Sequence, residues 1–261
     1  MAASNAGEVR ASFAGQASAF EDVTRHFGRK DVAEWMAANT PVDVDDIVLE
    51  VAAGTALFGR AIAPLVRAVI AIDITPEMLS EGKRVADASG RSNLLFQIGD
   101  ATRLPFLDAS FDAVISRLAV HHFDDPDAAL SEMVRVCRPG GTVTVIDMVV
   151  VDESRADRFN DLERRRDQAH TRALTRTGLR DAVERAGLHV THTSSWENVL
   201  DGERWMEQTS TSADDAAVIR AAWDEELSGG AATGMAPRRR GGHIEFVHIW
   251  DLIGAQRLMT C

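Results

Sequence analysis

The chain has 261 residues, 45% of them hydrophobic, with 40 acidic side chains against 28 basic ones and a formal net charge of −12. That composition supplies a full core and excludes a disordered chain, while the acidic balance works against nucleic acid, whose phosphates are held by Lys and Arg. The apolar runs fall short of the roughly 18 residues that span a membrane, MAASNAGEVR lacks a signal-peptide pattern, and Cys137 and Cys261 alone allow no disulfide framework or Cys-based zinc site. The expectation is a soluble, cytoplasmic protein without metal whose partner is a small molecule.

Residues 10–40, with Phe13, Phe20, Val23, Phe27, Val32 and Trp35, read as helices preceding a sheet. Ile47–Val51 is a near-continuous apolar run stopped at Gly54, the pattern of a strand buried on both faces. Phe58, Ala61, Ile62 and Leu65 then recur at helical spacing. Ala68 to Ile74 forms a second strand, with Thr75 as N-cap and Pro76 opening the next helix. Strands follow at 93–98, 111–116 and 142–148; between the last two, a helix opens at Asp125-Pro126, carries Leu130, Met133, Val134 and Cys137 inward, and closes at Pro139-Gly140-Gly141. This alternation predicts a doubly wound α/β sheet, mostly parallel. Residues 151–187 are charged and helical and read as a lid, and 201–242 as a second insertion. A strand at 189–193 pairs antiparallel with one at 243–253, after a helix around 203–227 and a loose stretch at 228–242.

In an open α/β sheet, ligands bind beyond the carboxyl ends of the strands, so those loops carry the candidate site. Gly54 lets the backbone approach a ligand closely. Asp73, nineteen residues later at the end of the second strand, suits hydrogen bonds to both hydroxyls of a ribose. Asp100, after the third strand, places a second carboxylate at the same rim, able to accept from an exocyclic adenine amine. A nucleoside site follows from this set.

VLEVAAGTALFGRAIA (48–63), AIDITPEML (71–79), GDATRLPFLDASFDAVISRLAVHHFDDP (99–126) and RVCRPGGTVTVIDMV (135–149) together resemble the class I S-adenosylmethionine-dependent methyltransferases, of the ubiquinone- and menaquinone-biosynthesis-like small-molecule branch. The resemblance covers about residues 45–150 and continues more weakly through ERRRDQAHTRALT (163–175). It implies a Rossmann-like fold in one domain over 1–261, with cap helices at 1–44, a cofactor-binding core at 45–150, and lid insertions and C-terminal strands at 151–261. It implies S-adenosylmethionine as cofactor, with Glu50 and Gly54 at its methionine portion, Asp73 at the ribose, Asp100 and Ala101 at the adenine, Ser116, Arg117 and Leu118 again at the methionine side, and Ala52, Ile74 and Met78 among the cofactor-binding residues. The family's turn has three glycines, whereas Ala52 and Ala56 occupy the first and third positions; one methyl group each leaves room for the cofactor. The nicotinamide fingerprint G-x-G-x-x-G is disfavoured, because it needs glycine at 52 and 57, where Ala52 and Leu57 stand.

Methyl transfer to a weak nucleophile needs a base, and histidine titrates in the right range. His121 and His122, just after the fourth strand, and His170, on the predicted lid, are the candidates, each with a packing role as the alternative. Trp196, Trp205, Trp223 and Trp250 are candidates for an aromatic acceptor wall or for the core, and Arg238, Arg239 and Arg240 for a clamp on an anionic acceptor or a solvated loop. The expected reaction is methylation of O, N or C on a small metabolite, aromatic and isoprenoid acceptors included. Two alternatives stay open: a cofactor-retaining lyase, pericyclase or binding protein, and, against the charge, an RNA or protein methyltransferase.

Overall fold

The computed structural model describes residues 6–23 and 30–259, so Phe27 and Cys261 lie outside the described residues, as does the side chain of Val23. Two helices, α1 (Ala6–Val23) and α2 (Lys30–Ala38), precede the sheet. The Rossmann-like core then runs β1 (Ile47–Val51), α3 (Leu57–Ile62), β2 (Ala68–Asp73), α4 (Pro76–Ala88), β3 (Leu94–Ile98), β4 (Phe111–Arg117), α5 (Pro126–Val136) and β5 (Cys137–Val149). After it come α6 (Ala156–Arg166), α7 (Arg176–Arg185), β6 (Leu188–Asp201), α8 (Gly202–Glu207), α9 (Ala213–Leu227), β7 (Arg238–Arg240) and β8 (His243–Arg257).

The sheet order is β3-β2-β1-β4-β5-β8-β6, with β7 attached to β8. Strands β1 to β5 are parallel, and β8 runs antiparallel between β5 and β6. Val48, Leu49 and Val51 are fully buried, as a central strand covered on both faces requires. One face carries α2, α3, α6, α8 and α9, with Phe58, Phe159, Trp223 and Phe246 in its core; the other carries α5 and α7, with Leu130, Met133, Leu179 and Val183. Val51 pairs with Ile72 and Ser116, so the loops after β1, β2 and β4 leave the sheet at one level, at the topological switch between β1 and β4.

Four local expectations need correction. Pro64 ends α3 early, so Leu65 falls in a 3-10 turn and is 46% exposed instead of continuing the inward stripe. The stretch Pro139–Gly141 does not close a helix: α5 stops at Val136 and β5 begins at Cys137, which is buried as expected. Residues 176–185 belong to no lid, because Leu179, Ala182 and Val183 are buried against the sheet face and make α7 the crossover from β5 to β6. Arg238–Arg240 form exposed edge strand β7 instead of a loop, with Arg239 and Arg240 2.6 and 3.5 Å from Asp224 and Glu245, and none of the three is on the cavity wall described below. Among the described residues no helix is long and apolar enough to cross a membrane, and no group of His, Cys, Asp and Glu is placed to hold a metal ion.

Candidate active site

The turn after β1 is built on left-handed backbone. Gly54 has φ +54°, but so do two residues that carry a Cβ, Ala52 at +52° and Ala56 at +57°, each strained by about 1–2 kcal/mol. What holds them is a set of short bonds: Ala53 N–H donates to Ile72 at 3.0 Å, Ala56 N–H to Ala53 at 2.7 Å, and Gly54 N–H to Asp73 Oδ2 at 2.7 Å. Asp73 Oδ1 accepts from Thr75 N–H at 2.8 Å, so one carboxylate staples the first loop to the second. Thr75 is the N-cap residue of α4, yet its hydroxyl serves Asp73 and not the helix. Burial raises the Asp73 pKa, and the Gly54 and Thr75 N–H groups oppose that shift.

Asp73, Ile74, Met78, Ala52 and Gly54 all lie on the wall of a cavity of about 870 Å³. So do Asp100, Ala101 and Arg117; Asp100 Oδ1 accepts from Thr102 N–H and hydroxyl at 2.8 Å, fixing its loop. Two expected contacts sit behind the wall. Glu50 is 2% exposed and accepts from Gly59 N–H at 2.8 Å; burial pushes its pKa up to about 7 against the pull of that N–H, Arg117 and Arg60. A Cβ at residue 59 would come 2.5 Å from the Glu50 carboxylate, which is why glycine stands there. Ser116 donates its hydroxyl to the Val51 carbonyl at 3.0 Å, tying β4 to β1.

The cavity continues past β4. A 3-10 turn at Val120–His122 follows that strand, and His121 and His122 both line the wall. Asp147, near the end of β5, holds His121 twice: Oδ2 accepts from the backbone N–H at 3.0 Å, and Oδ1 lies 2.5 Å from Nδ1. This carboxylate fixes Nδ1 as the protonated nitrogen and leaves Nε2 as the basic one. Burial disfavours the charged ring, but the Asp147 charge and hydrogen bond, with Glu163 and Asp167 nearby, raise the His121 pKa above its ordinary value. His122 is the reverse case: burial and the His121 charge push it down to about 4, and its Nδ1 donates to the Ala169 carbonyl at 2.8 Å. His170 is not on the wall. Its Nε2 is 2.7 Å from Asn160 Oδ1, its ring lies 5.4 Å behind His121, and burial drives its pKa well down, so it supports the site from outside.

Beyond β5 the wall passes to β8, where Met148 pairs with Trp250 and Val149 with Ile249. Trp250 and Trp205 line the cavity, with Arg117 and Arg166 stacked on them at 5.3 and 5.1 Å. The other two candidate tryptophans do not: Trp196 tilts against Trp35, and Trp223 stacks on Phe246 in the core. Phe13 and Phe20 of α1 also line the cavity, Phe13 edge-on to His122 at 5.1 Å. Sequence reasoning missed Asp147, Glu163, Arg166 and His248. A signal exists for two of them, since Asp147 and His248 each interrupt an apolar strand run, where a lone polar residue needs a partner.

Residues 49–145 match the model of the methyltransferase domain. YcgJ of Bacillus subtilis, an uncharacterized methyltransferase, is 32% identical over 168 residues, 64% of this chain and 66% of YcgJ. YafE of Escherichia coli is 32% identical over 159 residues, 60% of this chain and 76% of YafE. The chain belongs to the class I S-adenosylmethionine-dependent methyltransferases. The crystal structure of YcgJ superposes on this methyltransferase fold with a TM-score of 0.79 at 25% identity, covering 87% of this chain and 98% of that one. The [4+2]-cyclase SpnF shares the fold, with a TM-score of 0.63 at 18% identity over 88% of this chain and 81% of that one. The chain spans 36% to 76% of the length of the curated relatives matched first. The family match ends two residues before Asp147, so Met148, Arg166, Trp205, His248 and Trp250 of the cavity wall lie in segments that the match does not cover.

Proposed function

We propose that this chain transfers a methyl group from S-adenosylmethionine to an oxygen, nitrogen or carbon atom of a small-molecule acceptor, with His121 as the base. The observation that carries the reading is one continuous cavity joining the Gly54, Asp73 and Asp100 rim to a histidine held by Asp147.

The residues present fit the cofactor. Gly54 keeps the turn open, since a Cβ there would come 3.3 Å from Met78 Cε. Asp73 and Asp100 offer carboxylate oxygens for ribose hydroxyls and an adenine amine; Ile74, Met78 and Ala101 offer apolar surface for the base. Ala52, Gly54 and Arg117 would hold the methionine portion, with Glu50 and Ser116 buttressing them from behind. When bound, the cofactor supplies an electrophilic methyl group on a sulfonium.

The protein's part is alignment, worth up to about 7–11 kcal/mol of a bimolecular barrier, and removal of one proton. Met148, Trp205 and Trp250 give the acceptor a largely apolar bed suited to a flat or isoprenoid body. His121 Nε2 would take the proton that the acceptor atom gives up, and Asp147 would stabilise the resulting imidazolium without itself taking the proton. His122, with a pKa of about 4, stays neutral at physiological pH and shapes the pocket. The test is transfer of a labelled methyl group from S-adenosylmethionine to a panel of phenols, enols and isoprenoid quinols. Labelled product from wild type, lost in His121→Ala while S-adenosylhomocysteine binding persists, supports the reading; equal turnover in His121→Ala removes the base.

A further inference from the structure

The loop that carries Asp100, residues 99–110 between β3 and β4, contains no helix or sheet strand, so no ladder of backbone bonds sets its path. Its first residue is held by β2, through Gly99 N–H to the Asp73 carbonyl at 2.9 Å. Its last two are held by the end of α5, through Ala109 and Ser110 N–H to the Arg135 and Val136 carbonyls at 3.0 and 2.8 Å. Gly99, Asp100, Ala101 and Thr102 form cavity wall, and Arg103 N–H closes the turn at 100–103 on the Asp100 carbonyl at 3.1 Å. From Leu104 to Asp108 the loop leaves the wall and is gripped by two side chains of α5.

Glu132 and Arg135, one turn apart on α5, pair edge to edge: Arg135 Nε and Nη2 donate to the two Glu132 oxygens at 2.6 and 2.8 Å. What each has left goes to the loop. Glu132 Oε2 accepts from Leu104 N–H at 2.8 Å, and Arg135 Nη2 donates to the Leu104 carbonyl at 3.0 Å. Arg135 Nη1 donates to the Phe106 carbonyl at 2.9 Å and to Asp108 Oδ1 at 2.7 Å. These bonds use all five N–H groups of the guanidinium, in a planar fork that lysine, with its donors on one atom, cannot reproduce. The paired side chains are 31% and 20% exposed, so their mutual attraction adds little to stability. Neither stands on the cavity wall, and their effect is on where the loop lies. Leu104, itself buried, is both the residue they hold by its N–H and its carbonyl and the one that follows the Asp100 turn.

We propose that Glu132 and Arg135 are positioning residues of the donor site: by fixing Leu104 they set the turn at 100–103, and with it the preference for a base that bears an exocyclic amine. The proposal deepens the methyltransferase reading and rests on Asp100 being the partner of the adenine amine. With Leu104 held, Asp100 Oδ1 stays on the Thr102 N–H and hydroxyl, and the carboxylate keeps one orientation toward the cavity. Without the clasp the turn keeps its Gly99 bond and its internal bonds, and loses the two that hold its far end. The carboxylate then lacks the fixed angle that a directional bond to one amine requires.

The test compares S-adenosylhomocysteine with S-inosylhomocysteine, in which a carbonyl oxygen replaces the exocyclic amine, by calorimetric titration. Wild type should bind the first about tenfold or more tighter, because a carboxylate that accepts from the amine repels that oxygen. Arg135→Lys keeps the charge and loses the fork, and should narrow the ratio to about threefold or less, whereas a role in stability alone would weaken both ligands equally and leave the ratio unchanged. Amide hydrogen exchange without ligand is the second readout. Thr102 N–H should exchange about tenfold faster in Arg135→Lys, while Gly54 N–H, bonded to Asp73 outside the loop, keeps its wild-type rate. A ratio as large in Arg135→Lys as in wild type, or Thr102 exchange that is unchanged or rises only in step with Gly54, overturns the proposal. If Arg135→Lys does not fold, Glu132→Gln decides it by the same two readouts, since its amide must set an N–H against either Leu104 N–H or the guanidinium. Wild type that binds the two ligands equally, or neither, also overturns the proposal, by removing the Asp100 contact on which it rests; Thr102 exchange tells that failure from one of the clasp, because it still quickens in Arg135→Lys if the clasp holds the turn.

Discussion

Replacing Glu50 by glutamine should change how the stability of the fold depends on pH. In the fold, burial holds the Glu50 carboxyl protonated up to about 7, whereas in the unfolded chain it ionises near 4.5. A group raised on folding contributes its stability below its unfolded pKa and loses it as pH rises through its folded one. At 1.36 kcal/mol per pH unit the whole loss is about 3 kcal/mol, of which about 2 kcal/mol falls between about pH 5.5 and about pH 8. His122 works in the opposite direction, since its pKa of about 4 makes stability fall as pH drops below its ordinary value. Wild type therefore hides two large slopes of opposite sign. Glu50→Gln keeps an oxygen to accept from Gly59 N–H and cannot ionise, so its stability relative to wild type should rise by about 2 kcal/mol between those two pH values. Urea unfolding at both pH values measures this, and any fixed strain from the amide cancels in the comparison. A difference that stays constant across pH would refute the assignment of Glu50 as a buried, protonated carboxyl.

NMR titration of His121 should give a pKa above the ordinary 6.5, and Asp147→Asn should bring it down, because the carboxylate that favours the charged ring is gone; an unshifted His121 would separate the pair. Ala52→Gly should raise thermal stability by up to about 1 kcal/mol, the relief of a left-handed alanine less the added freedom of glycine in the unfolded chain; a loss of stability would mean that the Ala52 methyl packs favourably. Leu179→Ala should cost about 2–5 kcal/mol in chemical unfolding, as a core deletion does, whereas an exposed lid position would change little.

The meeting of Gly54, Asp73 and Asp100 on one cavity wall was legible because its information is local. A buried strand, a glycine turn and an aspartate at the end of the next strand are a few residues apart, and parallel pairing brings them to one rim. The same locality misplaced Glu50 and Ser116, which lie in the right segments but point behind the wall, where Gly59 N–H and the Val51 carbonyl need them. The far side of the cavity was scarcely legible, since it joins β4 to β5 through His121 and Asp147, and α6 to β8 through Glu163 and His248. Only the antiparallel insertion of β8 beside β5 brings the last pair to the cavity, and no periodicity announces that. The charged surface of 176–185 concealed a core helix because Leu179, Ala182 and Val183 make a narrow stripe among arginines and acids.

The account rests first on the donor pocket, and calorimetric titration with S-adenosylhomocysteine tests it most directly, with Asp73→Asn as the paired variant. Wild type should bind at micromolar concentration, about −8 kcal/mol at 25 °C, and the variant about tenfold or more weakly, since it loses the charge expected to face the ribose hydroxyls while keeping an oxygen for the Gly54 or Thr75 N–H. Wild type that binds no S-adenosylhomocysteine, or an Asp73→Asn variant that binds it equally well, would contradict the assignment of this cavity.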